Sequence, residues 1–135
     1  MFTRELNPGE WPAFFDAFSR EYQGHNVTLE LPEPHTLGTI ETIARGVPFV
    51  GITAEPRPGG IGVRSIEIVL GTSPDDHLVH TVNLPTRVFV GRDEHGADQV
   101  IVIRSERDPT VRLDFHEPAG RERAVSVPAG VPAKS

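Results

Sequence analysis

The chain has 135 residues and no cysteine, which fits a single domain and excludes disulfide bonds, thiolate metal ligands and a cysteine nucleophile. Its formal net charge is −6 and its basic residues are scattered, which disfavours nucleic acid as a partner because phosphate binding relies on clustered arginine and lysine. The first residues do not resemble a signal peptide, and no apolar run approaches the roughly 20 residues that span a bilayer, so we expect a cytoplasmic protein with no membrane partner.

The first predicted element is an amphipathic helix that ends at Gly24. Asn7 and Glu10 have the spacing of a capping box around Pro8, and we expect a turn at Pro8 followed by regular helix from Pro12. Aromatic side chains recur with the spacing of one helical face. They are Trp11, Phe14, Phe15, Phe18 and Tyr22. We expect this stripe to pack in the core rather than to bind a ligand.

After the helix, apolar residues alternate with polar ones, which is typical of strands with one buried face. The predicted strands are residues 27–31, 37–44, 49–53, 63–70, 78–83, 87–92, 98–104 and 111–115. The second and third of these are separated by Arg45–Pro48. The turn at Asp93–Gly96 predicts a hairpin, and the last three strands are expected to form an antiparallel meander.

One helix followed by many short antiparallel strands predicts an α+β fold that is mostly β. We expect one N-terminal amphipathic helix packed on a curved antiparallel sheet or small barrel of about seven strands. Residues 1–117 are assigned to this single domain. Residues 118–135 are rich in proline, alanine and glycine without a core-forming period, and are expected to form a disordered tail.

The helix carries the motif Glu-Trp-x-x-Phe-x-x-x-Phe-Ser over residues 10–19. It is followed by a strand at Val27, the apolar run at residues 66–71, and the histidines His77 and His80. In these features the chain resembles a family of small bacterial proteins that is defined only as a domain of unknown function. The resemblance implies a bacterial source and a domain that stands alone. It implies no activity and no catalytic or binding residues.

Asp76, His77 and His80 form a candidate metal site, because imidazoles and carboxylates together bind zinc and other divalent ions. If residues 78–83 form a strand, however, the two histidines point to opposite faces of the sheet and do not share one ion. A polar turn that enters a strand is therefore the preferred interpretation. A metal-dependent hydrolase stays a remote alternative.

The sequence shows no convergent catalytic set, so we assign no catalytic residue and no cofactor. The leading hypothesis is a non-enzymatic binding or protein-interaction module whose partner is a second copy or another protein. Val111–Phe115 is the candidate exposed strand for pairing into a homodimer. The alternative is a small-ligand-binding β-barrel with a pocket lined by Trp11, Phe49 and Phe89.

Overall fold

A computed structural model describes residues 2–32, 40–60, 62–92 and 99–116. The elements in these ranges are β1 (Phe2–Leu6), α1 (Trp11–Tyr22), β2 (Asn26–Pro32), β3 (Ile40–Pro56), β4 (Val63–Leu70), β5 (Leu78–Asn83), β6 (Pro85–Arg92), β7 (Gln99–Ser105) and β8 (Val111–His116). The eight strands form one antiparallel sheet in the order β1-β6-β7-β8-β2-β3-β4-β5. The sheet does not close into a barrel. The predicted fold class is therefore confirmed, as an open sheet.

Two expectations about the strands are wrong. The described residues 40–44 and 49–53 belong to one strand rather than two, because β3 runs without a break through Arg45–Pro48, and residues 37–39 lie outside the described residues. Gly46 takes a φ of 63° there, and its N–H donates to Oγ1 of Thr28 at 3.2 Å, so the irregularity is absorbed as a bulge. The pattern also missed β1, whose five residues pair with β6.

The long strand β3 changes its pairing partner halfway along its length. Residues 40–48 pair with β2, whereas residues 49–56 pair with β4 on the other side. The N–H of Phe49 donates to the carbonyl oxygen of His25 at 2.8 Å, and its carbonyl accepts from the N–H of Gly24 at 2.9 Å. These bonds satisfy the backbone of β3 just beyond Asn26, the first residue of β2, where pairing with that strand stops.

Helix α1 covers the next part of β3 on the side where β2 no longer pairs with it. The hydroxyl of Ser19 accepts a hydrogen bond from the N–H of Ile52 at 2.9 Å and donates to the carbonyl oxygen of Ile52 at 3.1 Å. One side chain thus satisfies both backbone groups of a residue that has no strand on this side. The helix is held against the sheet by this contact as well as by apolar packing.

The start of α1 confirms the expected turn but not the predicted capping box. A short 3₁₀ turn at Pro8–Glu10 precedes the helix, whereas the side chain of Asn7 makes no capping hydrogen bond. The carboxylate of Glu10 instead pairs with Arg4 at 3.2 Å. The expected stop at Gly24 is confirmed, with a φ of 90°. Among the described residues, no helix is long and apolar enough to cross a membrane.

The aromatic stripe of α1 packs in the core, as predicted. Trp11, Phe15 and Phe18 are buried, and the rings of Phe49 and Phe115 meet that of Phe18 edge to face, at centroid distances of 6.0 and 4.8 Å. The inward residues of the strands complete one continuous core. They include Val27, Leu29, Ile52, Ile66, Ile68, Leu70, Val82, Val88, Ile101, Ile103, Val111 and Leu113.

The C-terminal meander of β6, β7 and β8 is confirmed by the pairing of its strands. The turn at Asp93–Gly96, predicted between β6 and β7, lies outside the described residues. The tail predicted at residues 118–135 also lies outside them.

Replacing Phe15 tests the assignment of the helix stripe to the core. Phe15 is fully buried, so Phe15→Ala is expected to lower the free energy of unfolding by about 3–5 kcal/mol through lost burial and a residual cavity. Urea denaturation measures the change. The matched control is Asp16→Ala, since Asp16 is exposed on the same helix and its loss is expected to stay within about 0.5 kcal/mol. Equal losses in the two variants would contradict the core assignment.

Replacing Ser19 tests the contact that joins the helix to β3. Ser19→Ala leaves the N–H and carbonyl of Ile52 without their partner, and is expected to cost about 1–3 kcal/mol of unfolding free energy. Hydrogen exchange of the Ile52 amide is expected to accelerate. Glu21→Ala, an exposed position on the same helix, serves as the control. Unchanged exchange at Ile52 would show that the hydroxyl does not protect this amide.

Candidate functional site

The candidate site is the free edge of the sheet at β5. This strand pairs with β4 on one side and has no strand on its other side in the described part of the chain. Leu78 and Val79 retain 37% and 56% of their surface exposure. Adjacent residues of a strand point to opposite faces, so apolar surface is exposed on both faces of this edge.

The hydrogen bonds of Asn83 show which backbone groups of β5 point outward. Its N–H donates to Oδ2 of Asp108 at 2.7 Å, and its carbonyl accepts from the hydroxyl of Ser105. Both groups therefore point away from β4. In an antiparallel ladder, every second residue points both groups to the same side. The N–H and carbonyl of Thr81 and of Val79 accordingly point to the free side of β5.

The neighbouring strands give the same result independently. Ile68 of β4 lies opposite His80 of β5 on one side and opposite Ile52 of β3 on the other. If His80 and Ile68 exchange backbone hydrogen bonds, the backbone groups of Ile68 point toward β5 and not toward β3. The backbone groups of Ile52, opposite Ile68 on β3, then point away from β4. This is the direction in which Ser19 binds them. The contacts of Asn83 and those of Ser19 thus agree on which backbone groups point to which side in β3, β4 and β5.

One end of the free edge is already closed. The side-chain amide of Asn83 donates to Asp108 at 3.1 Å, and Ser105 holds the turn by accepting from the N–H groups of Arg107 and Asp108 at 2.9 and 2.8 Å. This turn lies beside Asn83 and ends the accessible edge there. In the described ranges, the outward groups of Val79 and Thr81 have no hydrogen-bond partner, which leaves a free segment at residues 78–82.

The other edge of the sheet has a different character. β1 carries Arg4 and Glu5, which pair with Glu10 at 3.2 Å and with Arg87 at 2.9 Å. The hydrogen bond and the charge of Arg87 hold the pKa of Glu5 below its usual value, so this ion pair persists at neutral pH. Charged side chains on an edge strand oppose pairing with another chain. β1 is therefore protected, whereas β5 carries no Asp, Glu, Lys or Arg.

His80 is the titratable side chain of β5. It is half-buried on the inward face, and burial lowers its pKa from the ordinary 6.5, with the nearby charge of Asp108 acting in the opposite direction. The imidazole is therefore mainly neutral at pH 7. The free segment carries no formal charge under these conditions.

The three residues considered for a metal site are not brought together. Asp76 ends a 3₁₀ turn and accepts a hydrogen bond from Thr72 at 3.2 Å, His77 is exposed before β5, and His80 lies on the inward face of the strand. Among the described residues, no group of three or more His, Asp or Glu side chains is placed to hold a metal ion.

The three residues predicted to line a ligand pocket do not share one face of the sheet. Trp11 and Phe49 are buried in the core. Phe89 lies between the inward residues Val88 and Val90, so its side chain points to the outer face, where the guanidinium groups of two arginines stand 5.3 and 5.9 Å from its ring centroid. Those cations belong to Arg87 and Arg104.

A groove of about 580 Å³ lies elsewhere, between the start of α1 and the tip of the β3–β4 hairpin. Its described lining consists of residues without charged or hydrogen-bonding side chains. They are Pro8, Gly9, Pro12, Ala54, Pro56, Gly60, Gly62 and Val63. One wall is formed by the proline- and glycine-rich loop between β3 and β4, which approaches the start of α1.

The sequence predicted β5 as a strand but assigned the free edge to the wrong element. Val111–Phe115 lies in β8, which is paired with β7 on one side and β2 on the other, so this strand has no free edge for a second copy. The adjacent apolar pair Leu78 and Val79 does not mark the edge in the sequence, because the interior strands β4 and β7 carry adjacent apolar residues too.

Comparison with known proteins gives a family but no activity. No curated protein and no solved structure matches the chain. A family model described as a family of unknown function (DUF5335) matches residues 2–123, which is most of the chain. The chain belongs to this family of unknown function.

Proposed function

We propose that this protein is a non-enzymatic protein-interaction module that binds an extended polypeptide segment along β5. The observation that carries the proposal is the pair of outward-pointing backbone sites at Val79 and Thr81, next to exposed apolar surface. Strand addition of this kind draws affinity from backbone hydrogen bonds and specificity from alternate side chains. The proposal includes a cytoplasmic location in a bacterium, as expected from the sequence.

The chemistry of β5 limits what the bound segment contains. Its inward side chains would lie beside Leu78, His80 and Val82, which favours apolar residues on that face. Its backbone would pair with Val79 and Thr81 and stop before Asn83, because Asp108 already occupies that position. A carboxylate placed at that end would face the carboxylate of Asp108. We therefore expect a short, extended and largely uncharged segment.

Selection of peptides from a display library against the purified protein tests this proposal. Thr81→Pro removes the outward N–H of Thr81 but none of the bonds to β4, since proline is tolerated where the N–H of an edge strand faces solvent. Selected peptides are expected to bind this variant at least tenfold more weakly. Thr81→Val keeps the N–H and a β-branched side chain, and is expected to bind like the original protein.

Chemical-shift changes of the backbone amides locate the bound peptide. They are expected to be largest at Val79 and Thr81. Peptides that bind Thr81→Pro as tightly as the original protein, or that shift amides only at other strands, would contradict the proposal. Equal thermal unfolding of the two Thr81 variants serves as the folding control.

The groove beside α1 supports a second candidate function, the binding of a small apolar ligand. Its volume lies in the range of ligand sites, although no polar side chain in its described lining would orient a ligand. Ala54→Phe is expected to fill the groove and weaken binding of a fluorescent apolar probe at least tenfold, whereas Thr81→Pro leaves it unchanged. Probe binding that Ala54→Phe does not alter would exclude this groove as the binding site.

A further inference from the structure

We infer that the segment bound by β5 is β5 of a second copy, paired antiparallel about a twofold axis that passes beside His80. This inference rests on the proposed function and names its partner. It differs from the expectation that Val111–Phe115 pairs, because that strand lies inside the sheet. The reasons are the register of the free backbone groups, the side chains that this register brings together, and the two limits of the free segment.

The register follows from the two free residues. In an antiparallel pair centred on His80, Val79 lies opposite Thr81 of the second copy, and Thr81 lies opposite Val79. Each of these two pairs exchanges two hydrogen bonds, because the backbone groups of both residues point outward. All the free groups of Val79 and Thr81 are then satisfied in both copies.

The neighbouring registers satisfy fewer groups. A pair centred on Thr81 would place Val79 opposite Asn83 of the second copy, whose N–H is already bound to Asp108 at 2.7 Å. A pair centred on Val79 would place Thr81 opposite His77, which lies before the strand begins. The register centred on His80 is the one that uses both free residues and leaves the capped Asn83 out of the ladder.

The side chains of this register are mutually compatible. Leu78 of one copy lies opposite Val82 of the other on the inward face, which gives Leu78 an apolar neighbour. Val79 lies opposite Thr81 on the outer face, and cross-strand pairs of β-branched residues pack well. The two His80 side chains face each other, and burial already lowers the pKa of each. No like charges are opposed at neutral pH.

The two ends of the free segment also fit the length of a second β5 strand. The turn that contains Ser105 and Asp108 closes the edge at Asn83, and the 3₁₀ turn at Pro74–Asp76 precedes the other end. An antiparallel second β5 begins opposite Val82 and ends opposite Leu78. It therefore fills the free segment without reaching the capped position. A twofold interface of this kind needs one patch that is complementary to itself.

Single cysteines test the register, since the chain has none of its own. His80 would face His80 of the second copy as a non-hydrogen-bonded pair, with Cα atoms about 4.5 Å apart, a distance that accommodates a disulfide. His80→Cys is therefore expected to give a disulfide-linked dimer under mild oxidation. Leu78→Cys is the control, because the two copies of residue 78 lie about 13 Å apart along the strands and are expected to stay unlinked.

Sedimentation of the unmodified protein and the two Thr81 variants provides a test without cysteine. The original protein and Thr81→Val are expected to dimerise with similar dissociation constants, and Thr81→Pro at least tenfold more weakly. A protein that sediments as a monomer at high concentration would overturn the inference. Equal cross-linking of the two cysteine variants would overturn the register.

The outcomes separate this inference from the proposed function. If the protein is monomeric but selected peptides bind it in a manner sensitive to Thr81→Pro, the second copy is wrong as the partner and the interaction module stands. If the protein is monomeric and no selected peptide depends on Thr81, both fail. A dimer that Thr81→Pro does not weaken would place the interface away from β5 and would also overturn the inference.

Discussion

The arrangement of this domain depends on the change of partner along β3. A strand that leaves one neighbour and joins another exposes backbone groups on the vacated side, and buried groups of this kind are costly unless they are bound. Here the connection after α1 binds Phe49, and Ser19 binds Ile52. The helix is therefore part of the hydrogen-bonding of the sheet as well as a cover for its core. Its position follows from where β2 begins, at Asn26 opposite Pro48.

The same constraint extends to the free edge through strict alternation. Because Ser19 binds the N–H and the carbonyl of Ile52, these groups point away from β4. The N–H and the carbonyl of Ile68, opposite Ile52, therefore point toward β5. The backbone groups of His80 are then hydrogen-bonded to those of Ile68, which leaves the N–H and carbonyl groups of Val79 and Thr81 pointing outward. The direction of the free backbone groups at β5 therefore agrees with a contact that lies two strands away, on β3. This is why the side chains of β5 alone do not define the site.

Local pattern was sufficient wherever a strand has one buried face. Val27–Leu31, Ile66–Leu70 and Val111–Phe115 alternate regularly, and each faces the core as predicted. The pattern failed at Arg45–Pro48, where a glycine bulge kept a proline-containing segment within one strand. It also failed to identify the edge, because strand order depends on contacts between residues far apart in sequence.

An uncharged edge strand promotes aggregation unless its pairing with other strands is limited. This fold limits that pairing in two ways. Asp108 and Ser105 bind the outward N–H and carbonyl of Asn83, so the part of β5 that can pair with another strand is short and has a defined end. The opposite edge carries Arg4 and Glu5 in ion pairs, so β5 of one copy meets a charged strand if it approaches β1 of another. Pairing of β5 with β5 consumes both open edges at once. In the proposed dimer, association through this strand would therefore close at two copies, whereas pairing of β5 with β1 would continue without end.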